Sequence, residues 1–369
     1  MDEARSMARD GSKYLLVEDA HGTVLSGKRA GLYAVLLIIA VHLTVTLLTL
    51  AVSAATGTTF VFWFKDTPIV LLVVLLYMSF LGVVWDGSLI IIGMVFQGLR
   101  RFGLPGGNVP VSVESVRRIR FFTCGASPMI MLLITAIAVL GTSNVTLIHL
   151  KLLGTVTHWN DPLFWKLEGG VIEWVTSLNI NAAAWDKLYH SAWAIELGAA
   201  FVLIVLGRGP KLVLCFSVSM IILFYVGRLL GVLNPVMGPS FFRPDLYGYL
   251  DGSVTNTAMK YISQIMAMGP EQVKSGSGVL IGGVSAVPSL HVGMVSLTAY
   301  WLAVTKRWTL ILTVPWVLLV WTSTVVLGWH YIIDGAGGIV LAVASVWAAR
   351  WIVGLPWLNT QLVRIVNRF

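Results

Sequence analysis

Long apolar runs, each closed by a shorter polar break, recur along most of the chain. Eight of them fall near residues 30–55, 67–98, 121–141, 184–206, 212–231, 288–305, 309–327 and 332–350. A helix needs about 20 mostly apolar residues to cross the hydrocarbon core of a bilayer, so each run is expected to form a membrane-spanning helix. The second run is long and carries Asp86, which predicts a tilted helix or one that continues along the interface. The sixth and seventh are short. Residues 1–29 read as a polar tail without the early apolar core of a signal peptide. A stretch around 254–268 reads as amphipathic, and a Gly/Ser-rich KSGSG follows it.

Composition agrees with this pattern. The chain is 57% hydrophobic and 11% charged, with a mean hydropathy of +0.84, whereas a soluble domain carries about a quarter charged residues. The fold class expected is therefore an all-α integral membrane protein with about eight transmembrane helices. The formal net charge of +8 fits loop bias and attraction to anionic head groups. No nucleic-acid motif appears. Cys124 and Cys215 sit in apolar runs and do not read as a disulfide framework.

With the N-terminus inside, 17 of the 25 Lys and Arg residues fall in inner segments and the other 8 outside. Both termini are then cytoplasmic, and the long loops near 142–183 and 232–287 are extracytoplasmic. The first of these mixes tryptophans with charges in THWNDPLFWKLEGGVIEW, which suits the head-group layer. The expected organisation is a cytoplasmic tail over 1–29, N-terminal helices over 30–141 and an interfacial segment over 142–183. A membrane domain over 184–350 and a cytoplasmic tail over 351–369 follow.

Polar clusters at the outer ends of spans carry the candidate chemistry. His330 and Asp334 are four apart, which on a helix puts them on one face. A carboxylate on one ring nitrogen fixes the tautomer and frees the other for nucleophilic or basic work; the same pair can simply close a helix end. In VPSLH, Pro288 suits a first helical turn, Ser289 offers a hydroxyl to a phosphate, and His291 is placed to protonate a leaving oxygen. The plain alternative is a capped helix start. Arg228 lies near the end of an apolar span, where it either partners an anion or snorkels to the interface. Arg243 either binds phosphate or pairs with Asp245. In WDKLYHSAW, Asp186, Tyr189 and His190 are candidates for a head-group site or for supporting the catalytic residues, or form an aromatic belt with polar anchors. His21, His42, His149 and His158 have no motif around them. No three ligands come at a metal-binding spacing.

The pairing of PSLH with GWHYIID resembles the type-2 phosphatidic acid phosphatase superfamily, over roughly residues 184–350. The resemblance implies His330 as the nucleophile that forms a phosphohistidine, His291 as the acid for the leaving group and Asp334 as the orienting group. It implies no cofactor and no metal. Two family cations are absent: Thr324 stands at the third-motif arginine position, and Val236 at the lysine position of the first motif, which ends at Arg243-Pro244. NPVMGPSFF, VPSLH and HYIID are most similar to the inositol phosphorylceramide synthases and their bacterial relatives, with Arg228 as a candidate replacement cation.

These readings lead to an extracytoplasmic-facing phosphoryl-transfer site in a membrane enzyme, with a bacterial inner membrane favoured. The expected partners are a phospholipid donor and a lipid or sugar hydroxyl acceptor. With water as acceptor the enzyme is a phosphatase. A lipid-anion transporter, using Arg228 and Asp86 as pathway charges, is the alternative of another class. The oligomeric state is not read from the sequence.

Overall fold

A computed structural model describes residues 17–18, 24–25, 27–101, 126–153, 159–178, 180–206, 210–268, 284–355, 362–363 and 366. Most of the polar tail, Cys124, the basic residues from Arg117 to Arg120, the first five residues of the third run, His158, Arg208 and the KSGSG stretch lie outside the described residues.

Twelve helices are described: α1 Gly27–Ala55, α2 Thr67–Arg101, α3 Ala126–Gly141, α4 Ser143–Leu153, α5 Asp161–Ser177, α6 Ala182–Leu206, α7 Pro210–Leu233, α8 Pro239–Phe242, α9 Val254–Met268, α10 Leu290–Thr305, α11 Leu310–Val326 and α12 Ile332–Val353. Two-residue strands, Val17–Glu18 and Val24–Leu25, pair antiparallel near the start. Seven helical segments are long and apolar enough to cross a membrane, and α10 is a shorter apolar eighth. The eight runs read from sequence thus correspond to eight helical segments, and the protein is an all-α integral membrane protein.

The third run extends further than its hydropathy indicates. After a break at Thr142 the chain stays helical through α4, so one candidate span covers Ala126–Leu152. The segment 142–183 therefore begins as helix packed in the bundle and not as an interfacial loop. The reason is that its polar residues face inward: Thr142, Ser143, Asn144, Thr146 and His149 are all buried. Asn144 accepts from Val61 N–H at 2.8 Å and donates to Val61 O at 2.9 Å, which fixes α4 to the chain ahead of α2.

At the centre of the bundle is α7. Every residue from Leu212 to Ile221 is buried, as expected of a helix apolar on all sides. It packs against α1, α3, α10 and α12. The outer helices show the reverse pattern, with Leu47, Ile311 and Trp347 exposed at 63%, 73% and 71%. Such faces fit hydrocarbon, which also requires each span to satisfy its own backbone. The Thr44 and Thr49 hydroxyls are satisfied within the same helix, donating to the carbonyls of Ala40 and Val45.

The α10–α12 contact brings two motifs together. A Cβ on Gly338 would lie 2.3 Å from Ser289 O and 3.0 Å from Gly293 N, so here backbone meets backbone. Small residues permit this approach between membrane helices, which gives the glycines after Asp334 a packing role. Gly338→Ala should cost about 1–3 kcal/mol and lower turnover by shifting His291 against Asp334. Thermal melting and an activity assay check this; an unchanged melting temperature would contradict the close packing.

Candidate active site

Each functional side chain is set by the end of an element. The turn Gly328–Tyr331 joins α11 to α12. Gly328 adopts φ +73°, and Thr324 O receives the N–H groups of Trp329 at 3.0 Å and His330 at 3.2 Å. His330 is thereby held just ahead of α12. Asp334 lies in the first turn of α12, where its Oδ2 accepts from Tyr331 N–H at 2.8 Å and sits 3.6 Å from His330 Nδ1. The carboxylate thus closes a helix end and lies beside the His330 ring, whose buried Nδ1 makes no hydrogen bond among the described residues.

On α10, Ser289 is the capping residue. Its hydroxyl accepts from Val292 N–H at 3.4 Å, and its own N–H donates to Asp334 O at 2.9 Å. His291 follows in the first turn. Its Nδ1 is 3.1 Å from the Tyr189 hydroxyl, and its ring lies against Tyr189, with centroids 4.5 Å apart, and against Trp193 at 5.9 Å. When the tyrosine donates to Nδ1, the imidazole proton resides on Nε2.

His291, His330, Tyr189, His190 and Arg228 all line one cavity of about 640 Å³. Its walls are otherwise largely apolar, drawn from α2, α3, α6 and α7 as well as the motif helices. Among the described residues lining it, Arg228 is the single lysine or arginine. Arg228 is buried near the end of α7, and its Nη1 donates to Thr146 Oγ1. The helix α9 contributes Ala258, Tyr261 and Ile262 to the same cavity; their spacing places them on one face.

Three acidic residues brace this end of the molecule. Asp161 accepts from the N–H groups of Met237 and Gly238, both at 2.9 Å, and so holds the NPVMGP loop. Gly238, at φ +107°, lets that loop lie against the backbone of Trp329, where a Cβ would come within 2.5 Å of Trp329 O. Glu168 accepts from Ile332 N–H at 2.5 Å and Ile333 N–H at 2.9 Å, filling the first turn of α12. A carboxylate suits this position because the helix N-terminus is its positive end. Burial pushes the carboxyls of Asp161 and Glu168 above their usual range, and the amide bonds pull them back only in part. Asp186 accepts from Val254 N–H at 2.8 Å and Thr255 N–H at 3.1 Å to start α9, and lies 3.2 Å from His190 Nε2.

A model of the PAP2 superfamily matches residues 155–348, just over half of the chain. The protein belongs to the type-2 phosphatidic acid phosphatase (PAP2) superfamily. No curated protein and no solved structure matches the chain. Membership supports a lipid phosphatase or phosphotransferase, and with it an enzyme acting on membrane lipids in place of the lipid-anion transporter considered from sequence. The matched segment begins at residue 155, ahead of the expected boundary at 184. It therefore takes in the bracing residues Asp161 and Glu168, while α1 to α4 stand outside it.

Two expected phosphate-binding residues of this PAP2 protein are not brought to the cavity wall. Arg243 is directed to Asp245 by two hydrogen bonds, Nε–Oδ1 at 2.9 Å and Nη2–Oδ2 at 2.7 Å, and lies over the Trp165 ring at 5.3 Å. The carboxylate two residues on captures the guanidinium, raising the Arg243 pKa and lowering that of Asp245. Arg243→Ala should leave turnover within about twofold, since an exposed pair of this kind contributes little; a hundredfold loss would return Arg243 to the site. Ser289 is fully buried and spends its hydroxyl on the helix cap. The positions of the two absent family cations are filled by packing: Val236 and Thr324 are fully buried, and the Thr324 hydroxyl donates to Trp321 O at 2.7 Å.

The cavity also holds residues that motif reading missed. Glu196, deep in α6, accepts from the Thr298 hydroxyl of α10. A carboxylate inside WAIELGAAFVLIVL is a signal in itself, because ionisable groups within spans are rare and usually functional. Thr146 and His149 carry a weaker signal, a polar face at helical spacing in SNVTLIHL.

Proposed function

We propose that the protein is a lipid phosphotransferase that moves a phosphoryl or phospho-head-group from a lipid donor to a hydroxyl acceptor through a phosphohistidine. The observation that carries this reading is the meeting of His330, backed by Asp334, with His291 and Arg228 in one cavity. In the first half-reaction His330 Nε2 attacks phosphorus. A nitrogen–phosphorus bond forms as the bond to the lipid alcohol oxygen breaks, and His291 gives that oxygen a proton. In the second, His291 takes the proton of the acceptor hydroxyl, whose oxygen attacks phosphorus and displaces His330. Asp334 stabilises the positive charge carried by His330 as its phosphoryl adduct, and Arg228 offsets the negative charge gathering on the phosphoryl oxygens. Asp186 and His190 act through Tyr189 and α9, at the cavity edge.

The donor is a phospholipid with an inositol-phosphate-like head group, and the acceptor is a lipid or sugar hydroxyl, as in sphingolipid synthesis. The likeness of NPVMGPSFF, VPSLH and HYIID to the inositol phosphorylceramide synthases and their bacterial relatives supports transfer over hydrolysis. The site faces the extracytoplasmic side, a reading supported by the 17-to-8 bias of Lys and Arg toward the other side, and the short loops and compact size favour a bacterial inner membrane.

The test is to mix purified protein with phosphatidylinositol, phosphatidic acid or a polyprenyl phosphate labelled at phosphorus, then quench it early. An acid-labile label on the protein is expected. Product that forms only with an added hydroxyl lipid indicates transfer; product in its absence indicates the phosphatase. Neither label nor turnover with any donor would sink the reading.

A further inference from the structure

The polar face of α4 is only partly explained by packing. Asn144 and Thr142 have local duties, the first on Val61 and the second donating to Val139 O at 2.5 Å. Thr146 and His149 do not. They are three residues apart, so they sit side by side on one face of the helix, and both line the cavity that holds His291 and His330. Thr146 Oγ1 accepts from Arg228 Nη1. His149 is 4% exposed, and its Nε2 is buried with no hydrogen-bond partner. A buried polar atom left without a partner costs about 1–3 kcal/mol, and because the His149 residue lines the cavity, a small rotation of its ring would let a ligand there relieve that cost.

We propose that Thr146 and His149 complete the phosphate-binding side of the cavity, together with Arg228. Thr146 is a positioning residue: it holds one arm of the guanidinium and so sets where the other nitrogens point. His149 Nε2, one turn along α4, hydrogen-bonds an oxygen of the same phosphate-bearing head group. The proposal rests on the phosphotransfer reading and extends it, because α4 lies outside the matched residues 155–348. The substrate's phosphate would then be bound between the two parts of the chain, with the catalytic histidines on one and α4 on the other. Neither residue is needed for bond making, so their effects should fall on substrate binding.

The experiment uses the full chain in detergent with Thr146→Ala, Thr146→Ser, His149→Phe and His149→Gln. Two quantities are read: KM and kcat for the donor that wild type accepts, and the rise in melting temperature produced by inorganic orthovanadate, a phosphate mimic that needs no turnover. Thr146→Ala and His149→Phe should raise KM about tenfold to a hundredfold, change kcat less, and lose most of the vanadate shift. Thr146→Ser, which keeps the hydroxyl, should return within about twofold of wild type, and His149→Gln should lie between. If Thr146→Ala and His149→Phe keep wild-type KM and vanadate shift, the proposal fails. A Thr146→Ser variant as impaired as Thr146→Ala would also overturn it, since packing and not the hydroxyl would then matter. If an alanine or phenylalanine variant does not fold, His149→Gln and Thr146→Ser still decide by the same readings. Wild type that turns over no donor but is stabilised by vanadate, with the shift lost in His149→Phe and reduced in His149→Gln, would reject phosphotransfer while keeping the subsite.

Discussion

Replacing His330 with alanine should lower turnover about 10⁴-fold or more, the range seen when a covalent nucleophile is removed. The melting temperature should stay within a few degrees of wild type. His330 is the informative choice because its side chain does little for the fold. Its Nδ1 is 3.6 Å from Asp334 Oδ2, and the turn around it is held by backbone bonds to Thr324 O. Asp334 would be a poorer choice, since its carboxylate also caps α12 and its carbonyl receives Ser289 N–H. An Asp334→Asn loss could come from either duty. Single-turnover mixing with labelled donor should show no protein-bound label in His330→Ala. Wild-type turnover in that variant would exclude the phosphohistidine course.

Much of this site was legible because its chemistry is written in short, local spacings. His330 and Asp334 declare themselves by a four-residue separation, and PSLH by a proline and a capping serine at a helix start. The hydrophobic runs gave the helices for a similarly local reason, each needing only its own length and composition. What stayed hidden depends on distant partners. Glu168 reaches Ile332 and Ile333 from more than 160 residues away, and Asp161 reaches Met237 and Gly238 across more than 70. Arg243 left two readings open in the sequence, phosphate or Asp245. Its motif position suggested phosphate and its neighbour suggested an ion pair, and in the structure the carboxylate two residues on holds it. The α4 helix was misread as loop because hydropathy treats Thr, Asn and His as surface residues, whereas in a bundle they can pair inward.

Arg228 carries the second large expected effect. Arg228→Met should lower kcat/KM about 10²- to 10³-fold, the range for losing one preorganised charge at a reacting centre, while the protein melts at or above the wild-type temperature. Methionine has nearly the volume of arginine without its charge. Replacing a buried ionic group by an apolar side chain of similar size is often neutral or stabilising, so a structural role alone predicts a stable and active variant. A role at phosphorus predicts a stable and inactive one. Arg228→Lys should fall between, because a lysine ammonium keeps the charge but loses the planar fork that grips two oxygens or one oxygen and Thr146. The family's usual cation positions hold buried Val236 and Thr324, and no other lysine or arginine is among the described residues lining the cavity. Activity that survives in Arg228→Met would therefore mean that the phosphoryl oxygens are stabilised without a side-chain cation, by helix amides and imidazoles alone.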